Sequence, residues 1–150
     1  MTKMNRCRVA MEYHEKGFNC AQSVLEAFRD LVGLTQEQCL GVATGLGGGF
    51  RTGGICGAAS GAVLVLGLLY PHATENDPER KAYTAKLTKE LLRRFTEQFN
   101  GQLDCRDLLQ DKTLAKREEV VALGSEKHCN NMIISAVAIL SDYLEELNEE

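Results

Sequence analysis

The chain contains no tryptophan, only two prolines, and aromatics make up 6% of its 150 residues. It has no basic patch interleaved with aromatics, so a base-stacking nucleic-acid surface is excluded. It also lacks excess positive charge. Lys and Arg number 17 against 21 Asp and Glu, a net charge of −4, which argues against capture of DNA, RNA or an anionic membrane. Long hydrophobic runs are missing too. The longest uncharged apolar run is residues 58–70, shorter than the ~20 residues a membrane span needs, and it is expected to be a buried core helix. There is no Cys-x-x-Cys pair, which excludes a thioredoxin-like dithiol, a zinc ribbon and a ferredoxin loop. No paired carboxylates and no Ser/His/Asp set point to hydrolysis. No run alternates like a strand.

What is present is ordinary globular composition, 44% apolar and 25% charged, as in chains that bury a core. The length predicts a single domain spanning 1–150, burying roughly 68–70% of its unfolded surface. The first sixteen residues carry charges throughout and no apolar centre, so no secretory leader is expected and a cytoplasmic location is predicted. Permanent disulfides are unusual there. Six cysteines in 150 residues also fall below the ~8–10% typical of a disulfide scaffold. They need another explanation: metal ligation, redox chemistry or core packing.

Helix punctuation runs from end to end and predicts an all-α bundle of about five to six helices. Residues 4 to 16 form an amphipathic segment ended by Gly17. Asn19 and Gln22 read as a capping box opening a helix through Val32, and Thr35 with Gln38 repeats the signature. A helix is expected from about Cys56 to Tyr70, ended by Pro71. Asp77-Pro78-Glu79 starts another that carries Tyr83, Leu87, Leu91, Phe95 and Phe99 every fourth residue. A short turn of helix fits Asp104 to Leu109, residues 111 to 124 are weakly patterned, and Ser125 is expected to cap a final helix.

On this map the cysteines divide. Cys7 and Cys39 lie inside helices among apolar neighbours and are expected to be core. Cys20, Cys56, Cys105 and Cys129 fall at helix beginnings, where free backbone N–H groups and the positive end of the helix dipole favour a thiolate. A joint site requires four helices to converge at one end of a bundle.

Ten of the fourteen glycines lie between Gly41 and Gly67. The stretch from Gly45 to Gly54 fails both nucleotide-binding templates: no Gly-Lys-Ser/Thr follows, and neither a third glycine nor a preceding strand is present. It is expected to be a tight loop with several positive φ angles that aims Cys56, and with Arg51 it offers an anion nest. Gly57 and Gly61, four apart on one helix face, suit close helix packing.

Asn19-Cys20-Ala21, the loop ending at Arg51, Cys56-Gly57-Ala58-Ala59-Ser60-Gly61, Cys105 and Cys129 together resemble the four-cysteine redox-active family written C-GCAxxG-C-C. The similarity covers roughly residues 17 to 140. It implies a small redox protein that uses Cys20, Cys56, Cys105 and Cys129, with Gly57, Gly61 and Arg51 as candidate cofactor-binding positions. It also implies a redox partner protein or a transporter component as partner.

Three functions stay open on the sequence. In thiol–disulfide exchange, Cys56 is the favoured thiolate, a second cysteine resolves it, and no cofactor is required. In the second, Cys20, Cys56, Cys105 and Cys129 ligate a metal or iron–sulfur cluster, to which the apolar surroundings of Cys56 are suited. In the third, the chain is a helical accessory domain that binds a partner and its cysteines are inert. His128, next to Cys129, is expected at the surface, with tuning or ligation of that site as the alternative.

Overall fold

Helix starts follow their caps. In the computed structural model, which describes residues 1–149, α1 (Lys3–Glu15) begins after Thr2, whose hydroxyl accepts from the Asn5 N–H at 3.1 Å. In α2 (Cys20–Glu26) both bonds of the capping box form: Gln22 N–H to Asn19 Oδ1 at 2.8 Å and Asn19 N–H to Gln22 Oε1 at 2.9 Å. The expected helix to Val32 is broken, however, and continues as α3 (Arg29–Val32). The cause lies in α1. Arg6 donates to the Ala27 carbonyl at 2.8 Å, its guanidinium stands 5.0 Å over the Phe28 ring, and it pairs with Asp30 at 2.6 Å. A side chain that inserts into the backbone ladder in this way ends a helix that sequence pattern alone would continue.

The Thr35 box opens α4 (Gln36–Val42), and α5 spans Gly57–Leu69. The Asp77 carboxylate accepts from Arg80 N–H at 3.1 Å to start α6 (Pro78–Gln98). Then come α7 (Cys105–Gln110), α8 (Glu118–Leu123) and α9 (His128–Glu149). Nine α-helices thus form among the described residues, not five to six; the all-α class stands. Two further differences lie between α7 and α9. The weakly patterned 111–124 segment contains α8, held by the buried Glu119 carboxylate between Arg117 at 2.9 Å and Lys3 at 3.2 Å. Hydrophobic periodicity does not register a helix anchored by charge. Ser125 does not cap the last helix, which starts at His128; its hydroxyl accepts from the Asn130 side-chain amide at 2.8 Å.

The core follows the apolar faces. Leu87, Leu91, Phe95 and Phe99 are buried, and Tyr83 meets Tyr70 edge-on at 6.3 Å. Each such large side chain contributes roughly 1.5–3 kcal/mol by leaving water. The inner face of α9, with Met132, Ile133, Val137 and Leu140, packs along α1. Against α5 lies α2, at a distance that only glycine permits. A Cβ at Gly61 would stand 2.8 Å from the Ala21 carbonyl oxygen, and one at Gly57 would stand 3.1 Å from the Cys20 Cβ. The CGAxxG spacing therefore sets Cys20 against the start of α5. No helix among the described residues is long and apolar enough to cross a membrane.

Candidate four-cysteine site

Four helix starts converge. Cys20 and Cys105 are the first residues of α2 and α7, Cys56 is the cap of α5, and Cys129 is the second residue of α9. The thiols act on one another: Cys20 feels Cys56, Cys105 and Cys129, Cys56 feels Cys105 and Cys129, and Cys105 feels Cys129. All six cysteines are free thiols. Cys7 and Cys39 are fully buried core residues, as expected, and burial pushes the Cys7 thiol up to about 12.

Cys56 and Cys105 are placed by one device. Gly48, Gly49, Phe50 and Arg51 all take left-handed φ, at 62°, 62°, 60° and 59°. This run turns the chain so that Gly54 N–H bonds back to the Gly49 carbonyl at 3.0 Å. Ile55 then forms an antiparallel bridge with Asp104. Its two flanking bonds are Cys56 N–H to Leu103 O at 2.8 Å and Cys105 N–H to Gly54 O at 2.6 Å. The glycine loop therefore holds Cys56 in place, as its composition predicts, and the same bridge fixes the start of α7 at Cys105. Left-handed φ at Phe50 and Arg51 costs roughly 1–2 kcal/mol each, strain of the kind that persists where surrounding bonds overdetermine a site.

Cys20 and Cys129 form the other pair. The interaction between their thiols is the largest influence on both, pushing the more buried Cys20 up and Cys129 down. Burial opposes the downward shift at Cys129, and His14, His128 and Lys112 add to it. At Cys56 the balance is opposite. Burial pushes the thiol up to about 11, and the N–H groups of Ala58 and Ala59 offset only part of this. Cys105 is also raised by burial. At Cys56 the helix-start N–H groups do not outweigh the loss of water, so that thiol is shifted against ionisation, whereas Cys129 is shifted toward it.

Two partners of Cys129 were not legible as such. His14 comes from α1, and its Nδ1 lies 2.7 Å from Oδ1 of the fully buried Asn130. Nothing in the spacing of the sequence links His14 to a cysteine on the last helix. Lys112 lies in the segment that carried no pattern. His128 is half-buried instead of lying at the surface, and its Nε2 is committed to the Leu108 carbonyl at 2.6 Å.

The candidate cofactor positions separate. Gly57 and Gly61 are buried with α2 occupying the space above them, so neither is open to a cofactor. Arg51 is exposed at the rim. Among the described residues no group of three or more His, Cys, Asp and Glu side chains is arranged to hold a metal ion. No step is derived through a metal or cluster. A family model described as "Putative redox-active protein (C_GCAxxG_C_C)" matches residues 18–143. No curated protein and no solved structure gives a significant match.

Proposed function

Because the chain belongs to the C_GCAxxG_C_C family of redox-active proteins, we propose that it carries out thiol–disulfide exchange, with Cys129 attacking and Cys20 resolving. The Cys129 thiolate attacks one sulfur of a substrate disulfide, and the substrate S–S bond breaks to release a thiolate. Cys20 then loses its proton and attacks the Cys129 sulfur of the mixed disulfide. The Cys20–Cys129 disulfide forms, and the second substrate sulfur leaves and takes up a proton. Two electrons pass from the protein dithiol to the substrate. The partner in this scheme is a protein bearing an accessible disulfide.

The observation that carries the proposal is the meeting of the starts of α2 and α9, which sets Cys20 and Cys129 as each other's strongest influence and shifts the two thiols in opposite directions. A reactive low-pKa thiolate beside a protonated thiol is the pairing that exchange requires. The test is a thiol count before and after treatment with excess small-molecule disulfide, with the linkage mapped by peptide mass. Reversible loss of two thiols as a Cys20–Cys129 bond is expected. Retention of all six thiols overturns the proposal.

A further inference from the structure

The bridge that fixes Cys56 and Cys105 leaves one of its edges open. Its two bonds, Cys56 N–H to Leu103 O and Cys105 N–H to Gly54 O, flank the Ile55–Asp104 pair. In an antiparallel pair of that kind the central residues turn their own N–H and C=O outward. Those of Ile55 meet no partner among the described residues. The Ile55 side chain is 41% exposed, Phe50 on the same loop is 59% exposed, and Leu109, one helical turn on from Cys105, is 43% exposed. Phe50 also bears left-handed strain, which its ring, out in water, does not offset. Charge lies on the same loop. The Arg106 side chain crosses Gly53, where a Cβ would stand 3.4 Å from its Nε, and Arg51 folds back over Gly48, where a Cβ would stand 4.0 Å from its Nη1. Both arginines are exposed, and among the described residues neither forms an ion pair, not even with Asp104 or Asp107. By contrast Arg6, Arg29, Arg93, Arg94 and Arg117 are all paired.

We propose that this edge is where the substrate polypeptide docks: an extended segment, with an acidic residue near its disulfide cysteine, pairs its main chain with Ile55 and lays its carboxylate against Arg51 and Arg106. Strand addition of this kind takes affinity from main-chain bonds and specificity from the side chains around them. The occupant follows from three features of one loop. A donor and an acceptor on one residue, both facing outward, match the main chain of an extended peptide. The exposed apolar side chains beside them suit the alternate side chains of such a strand. Two unpaired guanidiniums suit a carboxylate, whose geometry they match. The edge is one residue long, because the left-handed run closes it before Ile55 and α5 closes it after. The segment is therefore anchored at one point, next to Cys56 in sequence and, across the bridge, next to the residue that precedes Cys105. The inference deepens the exchange function and rests on it for the disulfide that the segment carries, not on which sulfur attacks.

A peptide without cysteine tests docking apart from the chemistry, and no protein variant is needed. The probe is the blocked hexapeptide acetyl-Glu-Val-Ser-Val-Thr-Val-amide, with serine where the substrate cysteine would stand, added in excess to the reduced, 15N-labelled protein. Solvent exchange of the Ile55 amide is expected to slow by about 5–10-fold, as one new hydrogen bond requires. The same peptide N-methylated at every internal residue keeps its side chains but loses their donors, and is expected to bind about 5–10-fold more weakly. A form with glutamine in place of glutamate is expected to bind about 2–5-fold more weakly at low salt, the range of an exposed ion pair. An Ile55 amide that exchanges at its free rate, or equal binding of the N-methylated form, overturns the inference. Equal binding of the glutamine form overturns the acidic segment. Protection of Ile55 by oxidised glutathione and not by the hexapeptide overturns the polypeptide as occupant. Protection by the hexapeptide in a protein that retains all six thiols under excess disulfide counts against the proposed function and not against this edge.

Discussion

The Cys105 N–H donates to the Gly54 carbonyl at 2.6 Å, so the start of α7 is tied to the loop that delivers Cys56. The bond depends on Gly49. Gly49 has a φ of 62°, and a Cβ there would drive into the Gly54 backbone. Gly49→Ala is therefore expected to destabilise the protein by about 2–4 kcal/mol through left-handed strain and collision together. A urea melt measures the loss. Amide exchange at Cys56 and Cys105 is expected to accelerate in the same variant, and wild-type protection at both amides would count against the bridge as their support.

The thiols are expected to alkylate in a set order. Iodoacetamide consumes thiolate, so a thiol shifted down reacts at lower pH and one shifted up reacts at higher pH. Cys129 leads, with a midpoint below the ordinary thiol value of about 8.5. Cys56, pushed up to about 11 by burial, is expected to react only at high pH. Cys20→Ala removes the donor and raises the Cys129 midpoint, while Cys20→Ser keeps a donor and shifts it less. Peptide mass across pH reads the order, and Cys56 reacting first would reverse the assignment.

Gly61→Ala tests the contact between α2 and α5. Alanine normally gains about 1 kcal/mol over glycine inside a helix. Here the new methyl would meet the Ala21 carbonyl oxygen at 2.8 Å, an unyielding backbone atom. Net destabilisation of about 1–3 kcal/mol is expected, read by denaturant midpoint. A neutral or stabilised variant would show that α2 gives way freely.

Arg6→Met tests the break between α2 and α3. It deletes the buried bond to Ala27 O and the ion pair to Asp30, at about 2–3 kcal/mol. The Arg6 guanidinium holds the Asp30 carboxyl below its usual range. A carboxylate lowered on folding contributes stability above its unfolded pKa and loses it as pH falls through the folded value. The Arg6→Met penalty is therefore expected to shrink as pH drops below about 3.9. Urea melts at neutral and acid pH check both the size and the trend.

Local chemistry was readable wherever it acts over three or four residues. The Asn19 and Thr35 capping boxes form both their bonds, because both partners of such a box lie on one turn of chain. The fourfold spacing from Leu87 to Phe99 became a buried stripe for the same reason. The break at Ala27 was not readable, since the side chain that causes it sits on another helix. Nor was α8, whose anchor is an ion pair across elements.

The cysteines divide along the same line. By itself the sequence determined that Cys7 and Cys39 are core, that four other cysteines stand at helix starts, and that Gly57 and Gly61 allow close packing. Helix starts and small-residue spacing are local properties of the chain. Only the tertiary structure decided how deeply each thiol is buried and which groups act on it. Those outcomes depend on burial at Cys56, on the approach of Cys20 to Cys129, and on His14 from α1. Desolvation and charge act through space, between groups that the chain keeps far apart until it folds.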